Sequence, residues 1–195
     1  MTKTLYISRH GQSEYNLLNK IGGDSDITSF GEEYAKSLYL FFKESGKLNN
    51  LNIYTSQLKR TKQTIKYFKN LNINSLEYLN EIKGGDFDDL TYDEIKINHP
   101  IEYLKRKNDK FNYCYPNGES YNILRKRVKE IFNEINDSEK DILIVCHNAV
   151  IRIIYSLIYD VKEEDIPHLE IPLHTLFKID NYNKTNNLTK IEILK

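Results

Sequence analysis

Neither sign of charge prevails in this chain of 195 residues, which sets 28 lysines and arginines against 28 aspartates and glutamates. With no global field, nothing draws the chain to nucleic acid or a membrane surface, so any anion site has to be built from a local cluster. Cysteine is scarce: Cys114 and Cys146 are far apart and lack C-x-x-C spacing, which excludes a disulfide framework and a cysteine zinc site. No apolar stretch approaches the roughly 18 residues that span a bilayer, and Met1-Thr2-Lys3-Thr4 has no charged-then-apolar leader pattern. A reducing cytoplasm is the expected setting. Metal-ligand spacings such as H-x-x-x-H and H-E-x-x-H are missing, so neither a metal nor another cofactor is expected. Without repeats, linkers or low-complexity blocks, the chain reads as one domain over residues 1–195, long enough to bury a substantial core.

What is present is a rhythm of strand, turn and helix. An apolar, β-prone run (Thr4, Leu5, Tyr6, Ile7) stops abruptly at Arg9-His10-Gly11, the pattern of a strand that delivers a histidine to the carboxyl end of a sheet. Gly11 reads as a sharp turn that brings backbone close to a ligand. Ser29 and Glu32 have capping-box spacing ahead of Tyr34, Leu38, Phe41 and Phe42 at helical positions, with Gly46 as the stop. Residues 51–54 predict a second strand, after which Thr55-Ser56 cap a helix running through Arg60 to Phe68. Residues 76–79 read as a short strand, 91–98 as a small helix stopped by Pro100, and 101–118 as an aperiodic, Tyr-rich excursion over the site. Leu124, Val128, Ile131, Phe132 and Ile135 mark one long amphipathic helix. Residues 141–146 form a continuous apolar strand that again ends in a histidine, followed by a helix over 149–159 and strands over 175–179 and 188–194. The alternation predicts an α/β fold of three layers, α/β/α, around a mostly parallel central sheet.

Three strand ends stand out: Arg9-His10, Ser56 with Arg60 just beyond it, and His147-Asn148. In a parallel sheet these share one edge, so residues more than a hundred positions apart converge. Two histidines and two arginines around one point make a pocket for a dianion, and fixed cations stabilise a phosphoryl group in flight without reorganising. At an effective dielectric near 20, each charge pair about 4 Å apart is worth on the order of 4 kcal/mol, enough to hold phosphate without metal. Arg9 disfavours imidazolium at His10, which keeps the ring neutral and nucleophilic, and it repels a metal ion. Metal binding by the two histidines is the rival reading. For His99, His168 and His174, structural roles are expected.

Arg9-His10-Gly11 followed by Ser13 and Asn16 resembles the signature of the histidine phosphatase (phosphoglycerate mutase-like) superfamily. Further along, Leu79-Asn80-Glu81-Ile82, Leu90-Thr91-Tyr92-Asp93-Glu94-Ile95, Tyr115-Pro116-Asn117-Gly118-Glu119-Ser120-Tyr121, Val145-Cys146-His147-Asn148-Ala149-Val150-Ile151-Arg152 and Pro172-Leu173-His174-Thr175 are similar, in order and spacing, to the phosphatase half of the 6-phosphofructo-2-kinase/fructose-2,6-bisphosphatase family. No G-x-x-x-x-G-K-[ST] loop occurs, so nothing of the kinase half is present.

The resemblance implies a phosphoglycerate mutase-like fold and a metal-independent phosphatase. Such an enzyme passes the 2-phosphoryl group of fructose 2,6-bisphosphate through a phosphohistidine to water, leaving fructose 6-phosphate. It makes His10 the nucleophile, Arg9, Arg60 and His147 the holders of the phosphoryl oxygens, Asn16 an added donor and Glu81 the general acid, worth about 10²- to 10⁴-fold. Taken alone, Glu81 reads as an exposed loop carboxylate. Tyr92, Arg106, Lys110, Tyr121 and Arg152 fall at positions for the 6-phosphate and the sugar, and Gly22 at a backbone approach to the sugar. Arg106 and Lys110, four apart, share a face on a helical turn; without the resemblance they are a solvated basic face. Two departures bear on substrate choice: Asn148 stands where the family has Gln, and Lys83 with residues 86–88 alters charge after Glu81. A broad-specificity sugar-phosphate phosphatase stays open, as does a phosphoglycerate mutase, which the absence of tryptophan disfavours. A non-catalytic phosphate-binding fold is disfavoured by the joint retention of His10, Arg9, Arg60, Glu81 and His147. The expected partner is a small phosphorylated molecule, with oligomeric state left open.

Overall fold

In the computed structural model residues 3–194 are described; Met1, Thr2 and Lys195, the ends of the expected 1–195 span, lie outside the described residues. The strands are β1 (Leu5–Arg9), β2 (Leu51–Thr55), β3 (Ile73–Ser75), β4 (Asp141–Cys146), β5 (Thr175–Asp180) and β6 (Asn187–Glu192). They form one mixed sheet in the order β3-β2-β4-β1-β5-β6. Strands β1 to β4 pair in parallel, and β5 runs antiparallel to both β1 and β6. All residues of β4 are buried, as its unbroken Ile-Leu-Ile-Val run requires of a strand covered on both faces.

The helices are α1 (Glu14–Leu17), α2 (Ser29–Glu44), α3 (Lys59–Thr64), α4 (Tyr92–Asn98), α5 (Pro100–Asn108), α6 (Tyr121–Val128), α7 (Ile131–Asn136) and α8 (Asn148–Tyr159). Against one sheet face, Tyr6, Ile53, Leu143 and Val145 pack on Tyr34, Leu38 and Phe42 of α2 and on Phe68. Against the other, Leu5, Ile7, Ile142 and Ile144 meet side chains of α6, α7 and α8. That is the three-layer arrangement, and each fully buried aliphatic or aromatic side chain in it contributes about 1.5–3 kcal/mol. A smaller core of Phe87, Ile95 and Tyr115 lies under the excursion that carries α4 and α5.

Local departures from the sequence reading have physical causes. Thr28, not Ser29, caps α2, its hydroxyl accepting from the Gly31 N–H at 3.1 Å, while Glu32 turns to Lys66 at 2.6 Å. The α3 helix stops at Thr64 instead of Phe68, and its cap residue is Leu58 rather than Thr55-Ser56. Thr61 and Thr64 donate back to the carbonyls of Leu58 (2.8 Å) and Arg60 (2.6 Å), a competition that weakens the helical ladder. The third strand is Ile73–Ser75, and 77–79 is instead a 3₁₀ turn that drives Leu79 fully inside. Pro100 ends α4 but also opens α5 as its first residue, a position where its missing N–H costs nothing. α5 escaped the periodicity reading because Ile101 (69% exposed) and Leu104 (54% exposed) face outward. The expected long helix divides into α6 and α7 where Phe132 and Asn133 bond three residues back, to Lys129 and Glu130, tightening one turn.

Candidate active site

Register builds the site. Arg9 of β1 lies opposite Cys146 of β4, so the next residues, His10 and His147, leave adjacent strands side by side. The His10 N–H donates to the Cys146 carbonyl at 3.0 Å, and the two imidazole centres stand 5.3 Å apart. β2, on the far side of β4, delivers Ser56, whose hydroxyl lies 2.7 Å from Nε2 of the fully buried His147.

The Nδ1 of His10 is 2.8 Å from the Gly11 carbonyl oxygen, which can only accept. Nδ1 therefore carries the proton, and Nε2 presents a bare lone pair. Burial, then Arg60, then Arg9 hold the His10 pKa well below the usual histidine range, so Arg9 does not act alone. Burial, Arg60 and His10 do the same for His147. Arg9 donates to the Ile171 carbonyl at 2.9 Å, and burial, opposed by Glu81, brings its pKa down to about 10, still cationic at neutral pH. Arg60 donates to the Gly23 carbonyl at 2.8 Å and lies 3.9 Å from Asp24. Glu81 is anchored: Oε1 accepts from the Ile82 N–H at 2.9 Å and Oε2 from the Ala149 N–H at 3.4 Å, in the first turn of α8. Asn16 Oδ1 is taken by the Ser13 N–H at 3.0 Å, which leaves its NH₂ as the free donor.

A second cationic group lines the same cleft. Arg106 donates to Tyr115 and Tyr92, both at 2.7 Å, and stacks 4.3 Å from the centre of the Tyr92 ring. Arg152 donates to the Leu169 carbonyl at 2.7 Å and to the Tyr121 hydroxyl at 2.9 Å. Lys110 lies past the end of α5, so it shares the cleft with Arg106 but not the helical turn expected for the pair. Its ammonium donates to the Pro167 carbonyl at 2.8 Å, and burial with Arg106 and Arg152 nearby pushes its pKa down to about 8. Among the described residues none of these three cations is paired with a carboxylate. The Oδ1 of Asn148 is buried without a hydrogen-bond partner.

The cleft encloses about 340 Å³. Every expected site residue lines it except His147, which is fully buried beside His10 with its Nδ1 lacking a hydrogen-bond partner. Gly11 does not open a ligand approach: a Cβ there would strike the backbone of Gly31, so this glycine lets the strand-end loop touch α2. Gly22, which lines the cleft, has φ +66°, and a Cβ there would run into the Asp88 carboxylate. Tyr15, Lys20 and Tyr115 line the cleft without having been singled out. Tyr115 opens the Tyr115–Tyr121 segment, and its aromatic ring is the signal the sequence holds for it. Tyr15 depends on a distant partner, donating to Asp89 at 2.7 Å where the loops about 21 and 90 exchange backbone bonds at 2.9 Å. His174 is structural as expected, accepting from the Gln12 N–H at 3.2 Å and stacking on Tyr34. Among the described residues no group of three or more His, Cys, Asp or Glu side chains is placed to hold a metal ion, and no helix is long and apolar enough to cross a membrane.

Residues 5–193 match the family described as "Histidine phosphatase superfamily (branch 1)". The chain is 41% identical over 177 residues to 6-phosphofructo-2-kinase/fructose-2,6-bisphosphatase 3 of Rattus norvegicus, covering 91% of this chain and 31% of the rat protein. It is 40% identical over 192 residues to fructose-2,6-bisphosphatase of Saccharomyces cerevisiae, covering 97% of this chain and 42% of the yeast one. It thus spans well under half the length of these relatives. In structure it is similar to a putative alpha-ribazole-5'-P phosphatase from Escherichia coli, with TM-score 0.83, 20% identity, and coverage of 98% and 97% of the two chains. At that identity the likeness speaks to the fold alone.

Proposed function

The chain belongs to the histidine phosphatase superfamily, branch 1, and on that premise we propose that it hydrolyses the 2-phosphate of fructose 2,6-bisphosphate, yielding fructose 6-phosphate and inorganic phosphate. The carrying observation is one cleft lined by two cationic groups: His10 with Arg9 and Arg60, and Arg106, Lys110 and Arg152, none of the latter three paired with a carboxylate among the described residues. The first suits a reacting phosphoryl group. The second suits a phosphate that is only held.

In the first half-reaction the Nε2 lone pair of His10 attacks phosphorus and the bond to the sugar oxygen breaks, while Glu81 in its acid form gives that oxygen a proton. Arg9, Arg60, the Asn16 amide and His147, whose Nδ1 is buried without a partner, hold the equatorial oxygens. In the second half-reaction Glu81, now a carboxylate, takes a proton from water as the water oxygen attacks the phosphohistidine. The P–N bond breaks, phosphate leaves, and His10 and Glu81 return to their starting forms. The paired arginines repel a metal ion at His10, so the steps draw on protein groups alone. A cytoplasmic place in carbohydrate metabolism accompanies this substrate.

The test is turnover of fructose 2,6-bisphosphate in EDTA, beside other sugar phosphates, 2,3-bisphosphoglycerate and 3-phosphoglycerate, with a search for acid-labile phosphate on His10. Preference for fructose 2,6-bisphosphate is the expected result. Equal kcat/KM on singly phosphorylated sugars would replace it with a broad phosphatase, mutase activity on glycerates would replace it with that reaction, and no turnover at all would leave a binding fold.

A further inference from the structure

Arg127 and Glu119 are absent from the mechanism above, yet together they grip the segment that carries Glu81. Arg127 projects from α6 and makes a two-pronged ion pair with Glu119, Nε to Oε1 at 2.8 Å and Nη2 to Oε2 at 2.7 Å. Its remaining donors go to three carbonyls of one irregular stretch: Nη1 to Tyr78 and Asn80, both at 2.8 Å, and Nη2 to Glu81 itself at 3.1 Å. Glu119 closes the clasp from the other side, Oε2 accepting from the Lys83 N–H at 3.0 Å and its own N–H donating to the Lys83 carbonyl at 2.9 Å. The residues between Asn80 and Gly84 form no helix or strand, so this pair stands in for the missing ladder. Both side chains are largely enclosed, at 21% and 10% exposure, where a charge-assisted fork is stronger than on an open surface. Burial would raise the Glu119 carboxyl, but the Arg127 hydrogen bonds and the Lys83 N–H outweigh it and leave it below its usual range.

We propose that Arg127 and Glu119 are positioning residues that fix the backbone on both sides of Glu81, so that its carboxyl is aimed at the leaving oxygen. The fork is planar, with five N–H donors, and every nitrogen is used here; lysine cannot replace it. The inference rests on Glu81 being the proton donor.

A positioning defect has a signature that general loss of structure lacks: it depends on the leaving group. Nitrophenolate departs with little protonation, whereas a sugar alkoxide needs a proton. Arg127→Lys is therefore expected to cut single-turnover release of fructose 6-phosphate by about 10²-fold or more, the scale of general acid help, and the nitrophenolate burst far less. Inhibition by inorganic phosphate should stay within about twofold. In a Glu81→Gln background the same substitution should add little, because the proton donor is already gone. Equal losses on both substrates, no loss on either, or full additivity with Glu81→Gln would overturn the assignment. Should Arg127→Lys not fold, Glu119→Asp, which keeps the charge and shortens its reach, carries the same comparison. Wild-type protein that forms no acid-labile phosphoenzyme would instead sink the proposed reaction, and this inference with it.

Discussion

The side chain of His10 is tied to the backbone of its own neighbour, Nδ1 to the Gly11 carbonyl oxygen at 2.8 Å. That single bond decides which nitrogen keeps a bare lone pair. In ¹⁵N NMR spectra at pH 6, His10 should be neutral with its proton on Nδ1, since burial and two arginines oppose a second proton. An imidazolium signal at that pH, or the other tautomer, would contradict the assignment. His10→Ala should lose acid-labile phosphate and turnover together.

Lys110 supplies a pH test of the second cationic group. With its pKa pushed down to about 8, the ammonium is charged below that value and neutral above it. KM for fructose 2,6-bisphosphate should rise as pH climbs through about 8, while KM for p-nitrophenyl phosphate, which has no second phosphate, stays flat there. Lys110→Met should remove that limb, and an unchanged profile would take Lys110 out of substrate binding.

Arg106 offers a way to tell the two expected phosphates apart. Its fixed guanidinium, held by Tyr92 and Tyr115, should give charge-assisted hydrogen bonds worth about 1.5–3 kcal/mol to an anion, so Arg106→Ala should raise KM for the bisphosphate about 10- to 150-fold. For p-nitrophenyl phosphate the change should be small. Equal effects on both substrates would dismiss the second-phosphate clamp.

Buried neutral histidines also tie stability to pH. His10, His147 and His174 all have pKa values lowered by burial, so below the unfolded value of about 6.5 the unfolded chain binds protons that the folded one refuses. Their stability contribution is whole above that pH and shrinks as pH falls through it, by at most about 1.4 kcal/mol per unit for each histidine. Urea midpoints measured from pH 7.5 to 5.5 should decline. A flat series would mean the rings are protonated in the folded state.

Gly31→Ala pits two effects against each other. Alanine favours a helix by about 1 kcal/mol over glycine. Here, however, the new Cβ would lie 2.9 Å from the Gln12 nitrogen and nearer still to its carbonyl oxygen, an overpacking of backbone that costs about 1–3 kcal/mol. Net destabilisation in a thermal melt is expected, with lower kcat because the loop after His10 must shift.

Much of this was legible in the chain because strand ends announce themselves. The apolar runs into Arg9-His10 and into His147 put both histidines on one sheet edge, their adjacency being added by the strand order, and α2, α8 and β4 were readable from apolar spacing, apolar runs and turn residues. Short, polar or outward-facing elements left weaker marks. Ile73–Ser75 is an edge strand of three mostly exposed residues, and α5 turns its aliphatic side chains to solvent, so neither produces a pattern. Tyr15 with Asp89 and Arg127 with Glu81 are pairings across dozens of residues, which local spacing does not encode.

The adjacency of β1 and β4 carries one more consequence. Because His10 and His147 emerge from neighbouring, in-register strands, their separation is dictated by the interstrand spacing of the sheet and not by any loop. Slipping either strand by one residue would turn its histidine to the opposite face. The histidine pair is therefore held by the sheet itself, while the walls of the cleft around it, from Tyr15 to Gly22, from Glu81 to Tyr121 and from Asn148 to Arg152, can change without moving it.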